Sequence, residues 1–225
     1  MKRFFFLSIF ITALLFFAAH GTAQTVVDKT VATVGDGVGV PELITYSDLL
    51  WQLALQPNVP LTPPASEDLN RALQLSINQR LFALEAKRLP GDEITENEIQ
   101  NKIKEILSFF PSTAEFERRL RIVGFDSVRD ENFLEIIRQR IAIDKYLDFR
   151  FRSFIVITQE DERKYYREVF TPDFRKRNPG LLLPPFDEVR VSINQSLSEE
   201  RVASEIEKFL DEAKRRAEIV VLNEV

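Results

Sequence analysis

Between Leu69 and Leu84 apolar side chains return every three or four positions, at Leu69, Leu73, Ile77, Leu81 and Leu84. That spacing matches the 3.6-residue turn of an α-helix and lines all five along one stripe. Leu75, Phe82 and Ala86 widen the stripe until little of such a helix can face water, so other elements must surround it. The reading is a long, central helix, capped by Ser66 and ending at about Leu89.

The same periodicity marks its neighbours. A short helix is expected from Ser47 through Trp51, ending by Pro57, with a proline-rich connection to Pro64. Thr95-x-x-Glu98 and Ser112-x-x-Glu115 each have the form of a capping box, in which hydroxyl and carboxylate serve backbone N–H groups that a first turn leaves unpaired. The helix after the first box buries Ile99, Ile103, Ile106 and Phe110 and stops at Pro111. The helix after the second presents Phe116 and Leu120 and stops at Gly124. A further helix runs from about Ser127 to Phe151 with Phe133, Ile137, Ile141 and Leu147 inward, and Thr158 opens a shorter one carrying Tyr165, Tyr166, Val169 and Phe170. Residues 171 to 185, with four prolines, Gly180 and the basic run Arg175-Lys176-Arg177, read as a connection. The last helix extends from about Phe186 to Arg216, with Val189, Ile193, Leu197, Val202, Ile206, Phe209 and Leu210 inward.

Two segments read as strands. From Thr25 to Val34 β-branched residues dominate, and Gly35-Asp36-Gly37 precedes Val38 and Val40, a pattern expected of a β-hairpin with a glycine turn. These glycines do not space as a dinucleotide-binding fingerprint. Ile219-Val220-Val221-Leu222 is too short and too β-branched for a helix, and an isolated strand leaves its backbone unpaired, so it is expected to join the hairpin. The fold class is therefore mainly α, a helical domain with a small β-hairpin joined by the C-terminal strand.

Met1-Lys2-Arg3 followed by the uncharged run Phe4 to Ala19 and small residues has the three parts of a secretory signal peptide. Cleavage is expected after Ala23, with Gly21 as the alternative site and a retained membrane anchor as the competing reading. Loss of residues 1 to 23 leaves 28 basic against 35 acidic residues, a net charge of −7, which disfavours nucleic-acid backbones as partners. His20, the only histidine, and Met1, the only methionine, also fall in this segment, and the sequence has no cysteine. The expected mature chain thus lacks the atoms for thiol nucleophiles, disulfides, histidine acid-base catalysis and common zinc sites. No enzyme activity, cofactor or small-molecule substrate is expected. The acidic groups Asp92-Glu93, Asp130-Glu131, Glu160-Asp161-Glu162 and Glu199-Glu200 read as helix starts and solvated faces, since none has calcium-loop spacing.

The order of parts resembles the SurA-type periplasmic chaperones. Val31-Ala32-Thr33-Val34 followed by Ile44-Thr45-x-Ser47-Asp48-Leu49 is similar to the family's mature start. Ile94-Thr95-Glu96-Asn97-Glu98-Ile99 through Phe116, Leu120 and Gly124-Phe125 to Ile141 is similar to its helical N-terminal region. Thr158-Gln159-Glu160-Asp161-Glu162 with Tyr165-Tyr166 resembles the helix that leads into a parvulin prolyl isomerase domain, and Phe186-Asp187-Glu188-Val189 with the terminal helix and strand resembles the returning segment. Only residues 171 to 185 lie where that isomerase domain would stand. The resemblance implies an N-terminal chaperone region over residues 24 to 170, a loop at 171 to 185, and a C-terminal helix and strand over 186 to 225 completing the same domain.

What it further implies is ATP-independent binding of unfolded outer-membrane or secreted polypeptides in the periplasm, without isomerase activity. Aromatic side chains suit such a task, offering large contact area at low rotamer cost. Candidate client contacts are Phe109, Phe116, Phe125, Tyr165 and Phe170, with Leu181, Leu182 and Leu183 as a second group. Core positions for the aromatics, and a loop folded back over the core for the leucines, are the competing readings. A docking subunit of an envelope assembly machine and a dimer formed by exchanged helices are the alternative functions.

Overall fold

The structure is a computed structural model that describes residues 28–88 and 93–223. The signal segment 1 to 23 with its cleavage site, the hairpin's start at Thr25, the helix end at Leu89 and Asp92 of the Asp92-Glu93 pair lie outside these residues. The β-branched run forms strand β1 (Thr30–Gly35), which pairs antiparallel with β2 (Glu42–Thr45) on one side and β3 (Glu218–Val221) on the other. The sheet order is β2-β1-β3, with Val34 opposite Ile219 and Ala32 opposite Val221. The expected return of the chain's tail to its head is thus shown. Val38 and Val40 belong to the turn, not the second strand, and are 91% and 94% exposed. Asp36 explains the shift, because its carboxylate accepts the N–H groups of Val38 and Gly39 and holds a wide turn that delays β2 until after Pro41.

Eight α-helices follow among the described residues: α1 (Tyr46–Ala54), α2 (Ser66–Ala86), α3 (Glu96–Ser108), α4 (Thr113–Ile122), α5 (Glu131–Arg150), α6 (Gln159–Tyr165), α7 (Thr171–Arg177) and α8 (Phe186–Arg216). Capping chemistry sets most starts. Thr45 with Asp48, Thr95 with Glu98 and Thr158 with Asp161 form reciprocal boxes. At α4 only half the expected box forms: Ser112 accepts from the Glu115 N–H, while the Glu115 carboxylate turns to Arg118 through two bonds. Ser66 is the first helical residue of α2, and Ala65 precedes it without a side-chain cap. Gly124, at φ +96, ends α4 in the left-handed region that side-chain-bearing residues rarely adopt.

The connection expected at 171 to 185 is half helix. After α6 the chain makes one π turn, Tyr166–Phe170, in which the Thr171 N–H and hydroxyl both reach the Tyr166 carbonyl. Pro172 has no N–H to donate and would crowd a regular turn. The wider turn absorbs it, as π-bulges do, and α7 continues to Arg177. Only residues 178 to 185 remain a loop.

Three apolar clusters hold these parts. The first joins Val31, Ala32, Val34 and Ile44 of the sheet to Leu49 and Leu53 of α1, Leu69, Leu73, Ile77 and Leu81 of α2, and Ala213 of α8. The second joins Ile99, Ile103 and Ile106 of α3 to Phe116 and Leu120 of α4 and Phe133, Ile137 and Ile141 of α5. The third joins Phe82 and Ala83 of α2 to Ile143 and Tyr146 of α5, Phe151, and Val202 of α8. Helix α2 shares in two of the three and is the centre of the fold, although Leu75 is 40% exposed on its outer side. Helix α6 packs on the N-terminal half of α8, and the π turn that joins α6 to α7 touches α8 as well, forming an arm. Within it Tyr166 stacks on Phe170 and Phe170 on Phe174, and the Tyr166 hydroxyl donates to the Pro184 carbonyl at 2.7 Å. No helix among the described residues is long and apolar enough to cross a membrane.

Candidate functional site

Where the C-terminal end of α2 meets α5, the described residues leave one side of the third cluster open. A cleft of about 970 Å³ opens there, floored and walled by Ala83, Ala86, Ile94, Ala142, Ile143, Tyr146 and Phe149. Small residues make the space: Ala83 and Ala86 on α2 face Ala142 on α5, and a larger side chain at any of them would project into it. Tyr146 is 6% exposed and sits among Phe82, Phe151 and Phe209 at ring separations of 6.3 to 6.5 Å. Burial, with the charge of Glu85 second, raises its phenol above the ordinary range, so the ring presents a neutral surface.

Phe149 lies at the mouth, 56% exposed, and meets Phe154, 70% exposed, edge to face at 6.3 Å. Phe154 in turn borders a second, more polar hollow of about 550 Å³ between Phe151, Ile155 and Phe209. The two exposed rings therefore bridge neighbouring depressions. They form an apolar surface ridge of the sort that marks interaction sites.

Charged residues rim the cleft, and each cation there is engaged. Lys87 pairs with Glu42, Arg138 with Glu131 and Glu135, and Lys145 with Glu98. The Lys145 ammonium is the largest influence on Glu98, followed by the Thr95 N–H and hydroxyl, and together they hold its carboxyl down at about 2. Such an opening has apolar area to offer and, among the described residues, no unpaired cation with which to select one anionic ligand. Among the described residues no three histidine, cysteine, aspartate or glutamate side chains converge as metal ligands would.

The residues expected to touch a client do not meet in this cleft. Phe116 is fully buried and Phe125 is 4% exposed; both are core, because Phe110, Phe116, Phe133, Phe125 and Trp51 form a chain of rings 4.8 to 6.0 Å apart. Phe109 is 63% exposed at the end of α3, outside the cleft lining. Tyr165 and Phe170 are half-buried on the arm. Leu181 and Leu182 are 67% and 95% exposed and Leu183 half-buried, so the leucine run extends to solvent and none of it lines the cleft. The lining residues missed in the sequence had a signal: Ala142, Ile143, Tyr146 and Phe149 make a second apolar stripe on α5, beside the one through Phe133, Ile137 and Ile141.

No protein-family model and no curated protein matches this chain.

Proposed function

We propose that the chain is an exported, ATP-independent holdase that shields apolar segments of unfolded envelope or secreted polypeptides, and that the cleft between α2 and α5 is where they dock. One observation carries the reading: an apolar cleft of about 970 Å³ is continued onto the surface by the exposed Phe149 and Phe154 rings, while the cations at its rim are already paired. Apolar contact is non-directional and scales with the area removed from water, so such a surface grips many sequences weakly. Aromatic rings supply that area at small entropic cost, and modest affinity permits release without nucleotide hydrolysis. The order of hairpin, helices and returning strand, together with the basic and apolar N-terminal segment of the sequence, supports the SurA-type resemblance and placement in the periplasm. A chain without an isomerase domain would act by binding alone.

Light scattering of an aggregating model client tests this. Wild-type protein at near-stoichiometric ratio is expected to suppress aggregation, and Ala142→Trp, which fills the cleft from its wall, is expected to lose most of that effect while retaining the fold. No suppression by the wild-type chain would favour a non-catalytic docking subunit, and full suppression by Ala142→Trp would place client contacts elsewhere.

A further inference from the structure

Behind the cleft wall, between α1, α2 and α5, lies a separate cavity of about 30 Å³, lined by both polar and apolar side chains. Gln139 and Ile143 border both spaces, but the inner one is surrounded by Asp48, Gln52, Ser76, Arg80 and Arg140. Its hydrogen bonding is incomplete. Arg140 donates from Nη2 to Gln52 Oε1, and the Gln52 amide donates on to Gln79. Arg80 donates to Gln139 at 3.3 Å and to Asp48 at 3.4 Å. The Nε atoms of both arginines and the hydroxyl of Ser76, a residue 3% exposed, are buried with no partner among the described residues.

Charge is unbalanced there too. Among the described residues Asp48 is the one carboxylate lining the cavity, and its Oδ2 already accepts the N–H and hydroxyl of Thr45 as the α1 cap. Asp144, a turn beyond Arg140, is engaged by Lys102 at 2.9 Å. Arg80 thus pairs with Asp48 at 3.4 Å, while the carboxylate that acts on Arg140 is Asp144, so two guanidinium groups line the cavity with one carboxylate. Leaving a buried charge uncompensated and buried donors unmade is costly. Burial lowers the Arg140 guanidinium from its ordinary value, in keeping with this strain.

We propose that this cavity is a binding site for a small monovalent anion of chloride size, held by the Nε–H groups of Arg80 and Arg140 and the hydroxyl of Ser76. The volume admits one or two water-sized species, which excludes phosphate and sulfate. A water would satisfy the donors but leave the positive charge. The bound anion braces α5 against α1 and α2, and so fixes the back wall of the cleft whatever the cleft binds.

Thermal unfolding of the full chain, with chloride exchanged for gluconate at constant ionic strength, reads this out. A saturable rise of about 3–6 °C is expected as chloride approaches physiological levels, the size that ligand linkage gives a chain of this length when the site fills. Ser76→Ala should weaken the dependence and Arg140→Met should remove it. If Arg140→Met does not fold, bromide soaked into crystals of the wild-type protein should give an anomalous peak between Arg80 and Arg140. Equal midpoints in both salts, a chloride effect that survives in Arg140→Met, or no peak at that position would each overturn the proposal.

Discussion

Arg119 lies on α4 one residue before the buried Leu120, where a charged side chain would ordinarily reach solvent, yet it is 6% exposed. Its guanidinium closes the end of α1 by donating to the carbonyls of Leu53 at 2.7 Å and Ala54 at 3.1 Å, groups that a helix terminus leaves without partners. Burial lowers its pKa from the ordinary arginine value. Arg119→Met keeps the stem and removes the donors, and should cost about 1.5–3 kcal/mol in urea unfolding, the range for a lost charged hydrogen bond that strands buried acceptors. Phe116 and Phe149 make a contrasting pair. Phe116→Ala, at a fully buried ring between Phe110 and Phe133, should cost about 3–5 kcal/mol and leave the client affinity of the folded fraction intact. Phe149→Ser, at an exposed ring, should change stability little and weaken client binding.

At the scale of elements, the box at the start of α3 binds stability to pH. Glu98 has its pKa lowered from 4.5 to about 2 by Lys145 and Thr95. A depressed carboxyl contributes stability that is fully present above the unfolded value and is lost as pH falls from 4.5 toward 2. The urea midpoint should therefore drop across that window, and Glu98→Gln should show a shallower drop from a lower plateau. Glu162, expected at a helix start on a solvated face, instead clips the arm: it is 3% exposed and accepts from Arg190 and Asn194, each at 2.7 Å. Glu162→Gln should raise amide exchange through α6 and α7 while the three-stranded sheet stays protected. Boxes such as Thr95 with Glu98 were legible in the sequence because they are local, three residues apart, and the long helices were legible because their apolar stripes repeat. Other features depend on partners distant in sequence or on competing local chemistry. Glu115 met Arg118 before it could complete its box, Asp36 redrew the hairpin turn, and a single π turn carried the helix past Pro172. The cleft was illegible for a related reason: it depends on small residues of α2 and α5 that face each other only once the helices pack.

The molecule as a whole is closed by four residues of its tail. Strand β3 covers the edge of β1, and beyond it the Leu222 N–H donates to the Val31 carbonyl at 2.9 Å, next to the apolar cluster that links sheet, α1, α2 and α8. Leu222→Pro removes that donor and should lower the thermal midpoint by several degrees, with the loss traced by exchange to β1. Closing the chain in this way ties down α8, whose Val202 and Phe209 pack into the cluster shared by α2 and α5 beside the cleft. The account stands on client segments entering that opening rather than contacting the arm or the end of α3. Site-specific photo-crosslinking to an unfolded client tests this most directly, with the crosslinker placed in turn at Phe149, Phe109 and Leu182, all exposed. Strong crosslinks are expected from Phe149 and weak ones from Phe109 and Leu182; crosslinks chiefly from Phe109 or Leu182, with Phe149 silent, would place the client outside the cleft.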